Sequence, residues 1–384
     1  MEKCIHSESC GGCLYQGVPY QEQLEIKGNG VKEILRSRNI DYGLFEKIQP
    51  APHIYSYRNK MDYTFGDEVI DGPMTLGMHK RKHFMSIITT DHCQIVSGDF
   101  NTILKATLKF AQDMGYSFYH KRRHEGLLRN LVVRSGENTG ELLINIVTTS
   151  QYDFDAQSFV KMIRDLETDY EIVGILRTVY DGVADFIYVD DLINLWGKDY
   201  YTENLLGLNF KVNSNSFFQT NSKAIERLYS DAVNLMSKGQ ESTVFDLYCG
   251  TGTISLAISG FVKKVYGIEL VPESVQAAKE NALINNVNNC EFIEGDVFSV
   301  MDNMDIKPDS LILDPPRVGL HPKAVKKILT YDLDEIIYVS CNPKTFGENM
   351  ERFQEAGYIL EYIKPYDNFP FTKHTELLTK IVKK

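Results

Sequence analysis

Residues 243–253 read TVFDLYCGTGT, and this stretch decides the fold. Thr243 to Tyr248 is a short apolar run of β-favouring residues, the kind that is buried inside a parallel sheet. Cys249-Gly250-Thr251-Gly252-Thr253 then turns the chain into an apolar helix that begins near Ile254. Glycines in such a strand-to-helix turn let backbone N–H groups approach a nucleotide-like ligand closely. Glu269, 17 residues beyond Gly252, ends the next strand candidate, where a carboxylate can accept hydrogen bonds from both hydroxyls of a ribose. A glycine turn alone is a weak signal, equally served by a purely structural bend.

Around this turn the carboxyl-terminal half alternates β-rich runs with amphipathic helical stretches, the pattern of a parallel sheet covered on both faces. Further strand candidates are Lys264 to Leu270, Glu291 to Ile293, Ser310 to Asp314 and Glu335 to Ser340. Residues 221–236, 272–286, 322–330 and 344–356 read as helices, the first with Ala224, Ile225, Leu228 and Ala232 at helical spacing. YILEYIKPY (358–366) and TELLTKIV (375–382) flank the turn-rich DNFPFTKH, so the sheet is expected to end in a reversed, antiparallel hairpin. Before residue 210 the chain is more strand-rich, with Asn130 to Val133, Glu141 to Thr148 and Glu171 to Tyr180 as strands and helices near 99–114 and 154–167. The expected fold class is therefore α/β. Its parts are an amino-terminal cysteine-bearing region (1–98), a central mixed α/β domain (99–212) and the parallel-sheet domain (213–384).

Hydrophobic residues at 43% and charged residues at 24% of 384 exclude collagen-like, coiled-coil and wholly disordered classes. No stretch approaches the roughly 18 uninterrupted apolar residues of a membrane span. The opening MEKCIHSESCGGC lacks the apolar core of a secretion signal, so a soluble cytoplasmic protein is expected, with no obligate protein partner. Net charge is 41 minus 52, or -11, which argues against indiscriminate electrostatic binding of nucleic acid. Local basic stretches remain: Lys121, Arg122, Arg123, Arg129 and Arg134 within 119–134, and His79 to His83. Such clusters are commonly solvated loops, and the first is the leading candidate for an RNA grip.

Two more acids and a cysteine stand where chemistry is expected in such a fold. Asp296 follows the third strand candidate and Asp314 ends the fourth, although each could equally cap a helix or shape a turn. Cys341 leaves the fifth strand in Ser340-Cys341-Asn342-Pro343, at the carboxyl edge where open α/β sheets bind ligands. A cysteine after an apolar strand is often inert core, but Asn-Pro breaks this strand and turns the thiol towards the cleft. Arg317 of DPPR ends the neighbouring strand at the same edge and is placed to favour a thiolate or enolate.

The series FDLYCGTGT, GIEL, EGDVF and LILDPPR resembles the successive motifs of class I, Rossmann-like methyltransferases. With SCNP (340–343) and DNFPFTKHTE (367–376), the catalytic half closely resembles the RNA uracil-5-methyltransferase family. The resemblance implies S-adenosylmethionine as cofactor, contacted by Tyr248, Glu269, Asp296 and Asp314, and by Gln219 of NSFFQTN. It also implies Cys341 as nucleophile and Glu376 as base. Carbon 5 of uracil is too weakly nucleophilic to attack a methyl sulfonium unaided. A thiolate adding to carbon 6 creates the needed enolate, and a base must afterwards remove the carbon 5 proton. An amino methyltransferase in which Cys341 is only core, and a catalytically silent RNA-binding protein, are the competing readings.

Seven cysteines without an export signal point to metal binding or catalysis rather than disulfides. Cys4, Cys10 and Cys13 form C-x5-C-x2-C, and Cys93 follows 80 residues later. Four thiolates ligate either a 4Fe-4S cluster or zinc, and spacing alone leaves both open. The iron-sulfur branch of the family carries the same arrangement, so the resemblance implies the cluster. It also points to 23S ribosomal RNA as the partner, with transfer RNA as the alternative. Many family members begin with a small β-barrel RNA-binding domain, whereas this chain reaches its first cysteine at residue 4, so the RNA grip is expected from the other domains.

Overall fold

In the computed structural model, residues 3–183 and 191–384 are described. After Pro19 the chain enters helix α1 (Tyr20–Ser37), whose buried residues Gln23, Leu24, Lys27, Val31 and Leu35 recur at helical spacing on one face. A lysine and a glutamine in that apolar stripe require partners inside the protein. Strand β1 (Tyr42–Phe45) comes after it.

Next come β2 (Lys60–Asp67), β3 (Met74–Lys80), β4 (His83–Thr89), α2 (Gly98–Asp113), β5 (Leu128–Gly136), β6 (Glu141–Thr148), α3 (Ala156–Arg164), β7 (Glu171–Val179) and β8 (Asp191–Gly197). Among the described residues these strands form one seven-stranded sheet in the order β4-β3-β2-β5-β6-β7-β8. It is antiparallel except for β6 and β7, which run parallel with α3 in the crossover between them. Phe100, Ile103 and Leu104 of α2 and Phe159 and Ile163 of α3 share a core with Leu131, Val133, Leu142 and Ile144 of the sheet. Because β2 pairs with β5, setting Met61 opposite Val133, this sheet takes strands from both sides of the border expected at residue 98. That border does not separate two sheets.

The hairpin β9 (Tyr200–Leu205) and β10 (Leu208–Asn213) stands at the second expected border. Its Tyr201, Leu205, Phe210 and Val212 lie in one apolar core with Leu143 and Leu176 on one side and Leu228 and Val244 on the other. The two halves are therefore joined by packing as well as by the chain.

The remaining elements are α4 (Ser222–Leu235), β11 (Thr243–Leu247), α5 (Thr253–Ile258), β12 (Lys264–Glu269), α6 (Pro272–Ile284), β13 (Cys290–Glu294), α7 (Val297–Asn303), β14 (Ser310–Leu313), α8 (Pro322–Thr330), β15 (Glu335–Ser340), α9 (Pro343–Glu355), β16 (Tyr358–Tyr366) and β17 (Glu376–Lys383). Among the described residues they form, with β1, an eight-stranded sheet in the order β1-β16-β17-β15-β14-β11-β12-β13. Strands β11 to β15 are mutually parallel, and β17 runs antiparallel to both β15 and β16, so the expected α/β sheet with its reversed terminal hairpin is present. One pairing has no counterpart among the sequence expectations: the amino-terminal β1 lies parallel to β16, with Leu44 beside Tyr362.

Candidate active site

A cavity of about 940 Å³ opens at the carboxyl ends of β11, β12, β14 and β15. Its floor is made by the glycine turn. Tyr248, Gly250 and Gly252 all have positive φ, at 68°, 53° and 80°. A Cβ on Gly252 would stand 2.9 Å from the Phe292 ring and 3.0 Å from Ala278, so α6 and β13 pack too closely behind the turn for a side chain. Glu269 Oε2 accepts from the Gly250 N–H at 3.1 Å, and Oε1 accepts from the N–H groups of Leu270 and Val271 at 2.8 and 2.9 Å. With one such bond, Oε2 retains capacity for a further donor.

Asp296 caps α7, its Oδ1 accepting from the Ser299 N–H at 3.1 Å, so the helix-cap reading is realised even as the residue lines the cavity. Burial, together with the charges of Asp296 and Glu269, pushes the Tyr248 hydroxyl up to about 12. Gln219 faces the same space, and its carbonyl accepts from Asn59 Nδ2 at 3.1 Å. Asn59 also bonds Ser222 Oγ at 2.9 Å, so a residue without any sequence signal ties the 219–222 segment to the seven-stranded sheet.

On the other side, β15 and β17 bring the reactive candidates together. Ser340 pairs with Leu377 in the antiparallel register. Cys341 is the residue after Ser340 and Glu376 the residue before Leu377, so the two come side by side. Burial pushes the Cys341 thiol up to about 11. The charges of Glu376 and Asp314 act in the same direction, while the charge of the Arg317 guanidinium opposes them. Burial holds Glu376 up at about 7, against the pull of Arg317. Asp314 is raised well above its ordinary value by burial first and then by Glu376 and Asp246. The Arg317 turn is fixed to the cysteine loop, its carbonyl accepting from Asn342 Nδ2 at 2.9 Å and Thr345 Oγ1 at 3.2 Å. His374 lines the cavity as a neutral imidazole, lowered to about 4 by burial and then by Arg317, Lys373, Lys27 and Arg58.

The far end of the cavity is lined by Cys4, Cys10, Cys13 and Cys93, all free thiols. Burial pushes Cys13 up to about 11 and Cys93 up to about 12, and in both the neighbouring thiols add to the effect. Arg81 braces the loop, donating to the carbonyls of Cys10 at 3.3 Å and Cys13 at 2.7 Å. Four thiols along one wall of the cavity are the donor type that a 4Fe-4S cluster or zinc requires, while among the described residues the side chains drawn together closely enough for a single metal ion are His6, Asp91 and His92.

The basic stretch at 121–134 is not one surface. Arg134 is 2% exposed and donates to the Ser216 carbonyl. Arg129 is buried between the rings of Tyr119 and Tyr180 at 4.0 and 4.5 Å. Only the loop residues Lys121, Arg122 and Arg123 of that set reach solvent, because residues 128–136 enter the sheet as β5.

Residues 139–383 match the model of the tRNA (uracil-5-)-methyltransferase family. The chain belongs to that family. It is 46% identical to an "uncharacterized RNA methyltransferase" of Clostridium tetani over all of this chain and 84% of the relative. Identity to a similarly described protein of Clostridium acetobutylicum is 45%, with the same coverage. Among solved structures, the tRNA (uracil-54, C5)-methyltransferase of Pyrococcus abyssi in complex with S-adenosyl-L-homocysteine superposes with a TM-score of 0.79. That likeness holds at 29% identity and covers 97% of this chain and 86% of the other. As a tRNA (uracil-5-)-methyltransferase family member the chain is an S-adenosylmethionine-dependent RNA methyltransferase. The glycine turn, the Glu269 carboxylate and the adjoining cavity suit an adenosine and its ribose.

Proposed function

We propose that this protein methylates carbon 5 of a uridine in structured RNA through a covalent bond between Cys341 and carbon 6. The observation that carries this reading is the juxtaposition of Cys341 and Glu376 across β15 and β17, with the Arg317 charge acting on the thiol. Glu269 would receive the ribose hydroxyls of S-adenosylmethionine, with Tyr248, Asp296, Gln219 and Asp314 along the rest of that molecule. When bound, the cofactor supplies an electrophilic methyl group.

The residues of the chain have separable tasks. A uridine taken out of its stack enters the cavity, at least cost from a single-stranded loop. The Cys341 thiolate adds to carbon 6, and the electron pair of the carbon 5–carbon 6 bond moves towards the carbonyl oxygen as an enolate. Arg317 is the resident cation that offsets the two acids and favours the thiolate. Once carbon 5 is methylated, the Glu376 carboxylate takes its proton, the double bond re-forms and the bond to Cys341 breaks, releasing the thiolate. A carboxylate titrating near 7 is matched to that task at neutral pH.

Cys4, Cys10, Cys13 and Cys93 would hold a 4Fe-4S cluster whose contribution is to brace the loop, since methyl transfer itself requires no electron. The preferred target is 23S ribosomal RNA, on the strength of the cysteine pattern. Transfer RNA is the second reading, favoured by the likeness to the Pyrococcus abyssi enzyme. Mapping 5-methyluridine in both RNAs from cells with and without the gene tests the proposal. A ribosomal site that disappears with the gene supports it, loss from transfer RNA alone selects the second reading, and no loss of 5-methyluridine overturns both.

A further inference from the structure

The segment between β16 and β17 has no regular secondary structure, yet every carbonyl from Asn368 to Phe371 is held by a group from a distant part of the chain. Asn368 accepts from Asn221 Nδ2 at 2.7 Å, Phe369 from Lys27 Nζ at 3.0 Å and Pro370 from the Tyr57 hydroxyl at 3.0 Å. Phe371 accepts from the N–H groups of Leu14 and Tyr15 at 2.8 and 2.9 Å. Its own N–H donates to Gln23 Oε1 at 2.9 Å. Phe371 also has a φ of 65°, a conformation that persists only where the surroundings enforce it.

The strongest of these ties is ionic. Lys27 Nζ lies 2.5 Å from Asp367 Oδ1, and the two side chains are 1% and 0% exposed. Gln23 and Lys27 stand one helical turn apart on α1, so a single face of that helix grips both ends of the 367–371 segment. A buried ion pair adds little stability over an apolar pair of the same size, whereas its direction fixes geometry. Four residues separate the segment held in this way from β17, which begins with Glu376.

We infer that Lys27, through Asp367 and the Phe369 carbonyl, is a positioning residue that sets the Glu376 carboxylate against carbon 5 of the bound uridine. This rests on the reading of Glu376 as the base. Misplacement by a fraction of an ångström slows proton removal while leaving the earlier addition and methylation intact.

The test is Lys27→Met in the full-length protein, with RNA containing uridine or 5-fluorouridine at the target site. Fluorine at carbon 5 cannot be removed as a proton, so adduct formation on that RNA reports only the steps before the base acts. Lys27→Met is expected to form the fluorinated adduct within about twofold of the unsubstituted rate. On ordinary RNA it is expected to turn over roughly tenfold more slowly and to accumulate a denaturation-resistant protein–RNA complex. Equal slowing on both RNAs, or on neither, overturns the proposal. Gln23→Met, which removes the acceptor for the Phe371 N–H without creating a buried charge, must show the same partition and serves where Lys27→Met does not fold. Glu376→Gln is the control: if it turns over normally, the base assignment itself has failed, an outcome distinct from failure of the Lys27 proposal alone.

Discussion

Cys341 and Glu376 come from strands that run in opposite directions, and the register that sets Ser340 against Leu377 brings the thiol and the carboxyl together. Burial raises both groups, the Glu376 charge raises the thiol further, and Arg317 pulls against each shift. The proposed reaction, in which a nucleophile and a base act on adjacent carbons of one small ring, needs this proximity.

Replacing Glu376 with glutamine keeps the shape of the site and removes the proton acceptor. Addition and methylation are expected to proceed, and product release is expected to stop. Denaturing electrophoresis of the variant with RNA and cofactor should show a protein–RNA band carrying labelled methyl. Normal turnover by this variant assigns proton removal to another group.

Cys341→Ala is expected to abolish 5-methyluridine formation, by about four orders of magnitude or more, while cofactor affinity remains. Turnover by this variant would favour direct displacement by an exocyclic amine and remove the covalent reading. Calorimetric titration with S-adenosylhomocysteine, run alongside the methyl-transfer assay, separates loss of chemistry from loss of fold.

The pH dependence has a definite sign. Because Glu376 titrates near 7 and must be ionised to accept a proton, turnover limited by that step should rise through pH 7 and then level off. Stability runs the other way. A carboxyl raised above its unfolded value favours folding below about pH 4.5, and that contribution is lost as pH climbs through 7. Glu376→Gln should therefore be more stable than the parent above pH 7, by roughly 3 kcal/mol at most, with the difference vanishing below about pH 4. Melting curves at several pH values check this, and a pH-independent difference contradicts it.

Glu269→Ala should weaken cofactor binding on the order of tenfold to a hundredfold, since hydrogen bonds to a charged acceptor are lost. The same change leaves the N–H groups of Gly250, Leu270 and Val271 without their acceptor, so the glycine turn should also loosen. Amide hydrogen exchange across residues 248–253 reads the second effect independently of the first.

Protein purified without oxygen should contain iron and acid-labile sulfide in equal amounts, with broad visible absorption. Zinc with no sulfide would replace the cluster by a mononuclear site. Cys93→Ser is expected to lower the metal content and the melting temperature together, because that thiol reaches the loop from a segment 80 residues away.

The carboxyl-terminal half is legible because strands buried on both faces are continuous apolar runs, and their ends carry the chemistry. Glu269, Asp314 and Cys341 all stand at such ends, and DNFP marks the reversal before β17. Long-range pairings leave no local trace. Nothing around Tyr42 to Phe45 announces a partner at Leu360 to Ile363, and nothing near Lys27 announces Asp367. Arg129 and Arg134 read as part of a basic surface because charges clustered along the sequence are commonly solvated. Here one is enclosed by two tyrosine rings and the other by the 216 segment. The sheet runs across the border expected at residue 98 for a related reason: helix α2 interrupts the chain without interrupting the sheet.

The parallel pairing of β1 with β16 joins residue 42 to residue 360, so during synthesis an early strand waits for its neighbour until almost every other element has left the ribosome. Glu376, in the strand after β16, is made later still. Any product of premature termination before β17 therefore lacks Glu376, the base of the proposed reaction, and the strand that sets it beside Cys341.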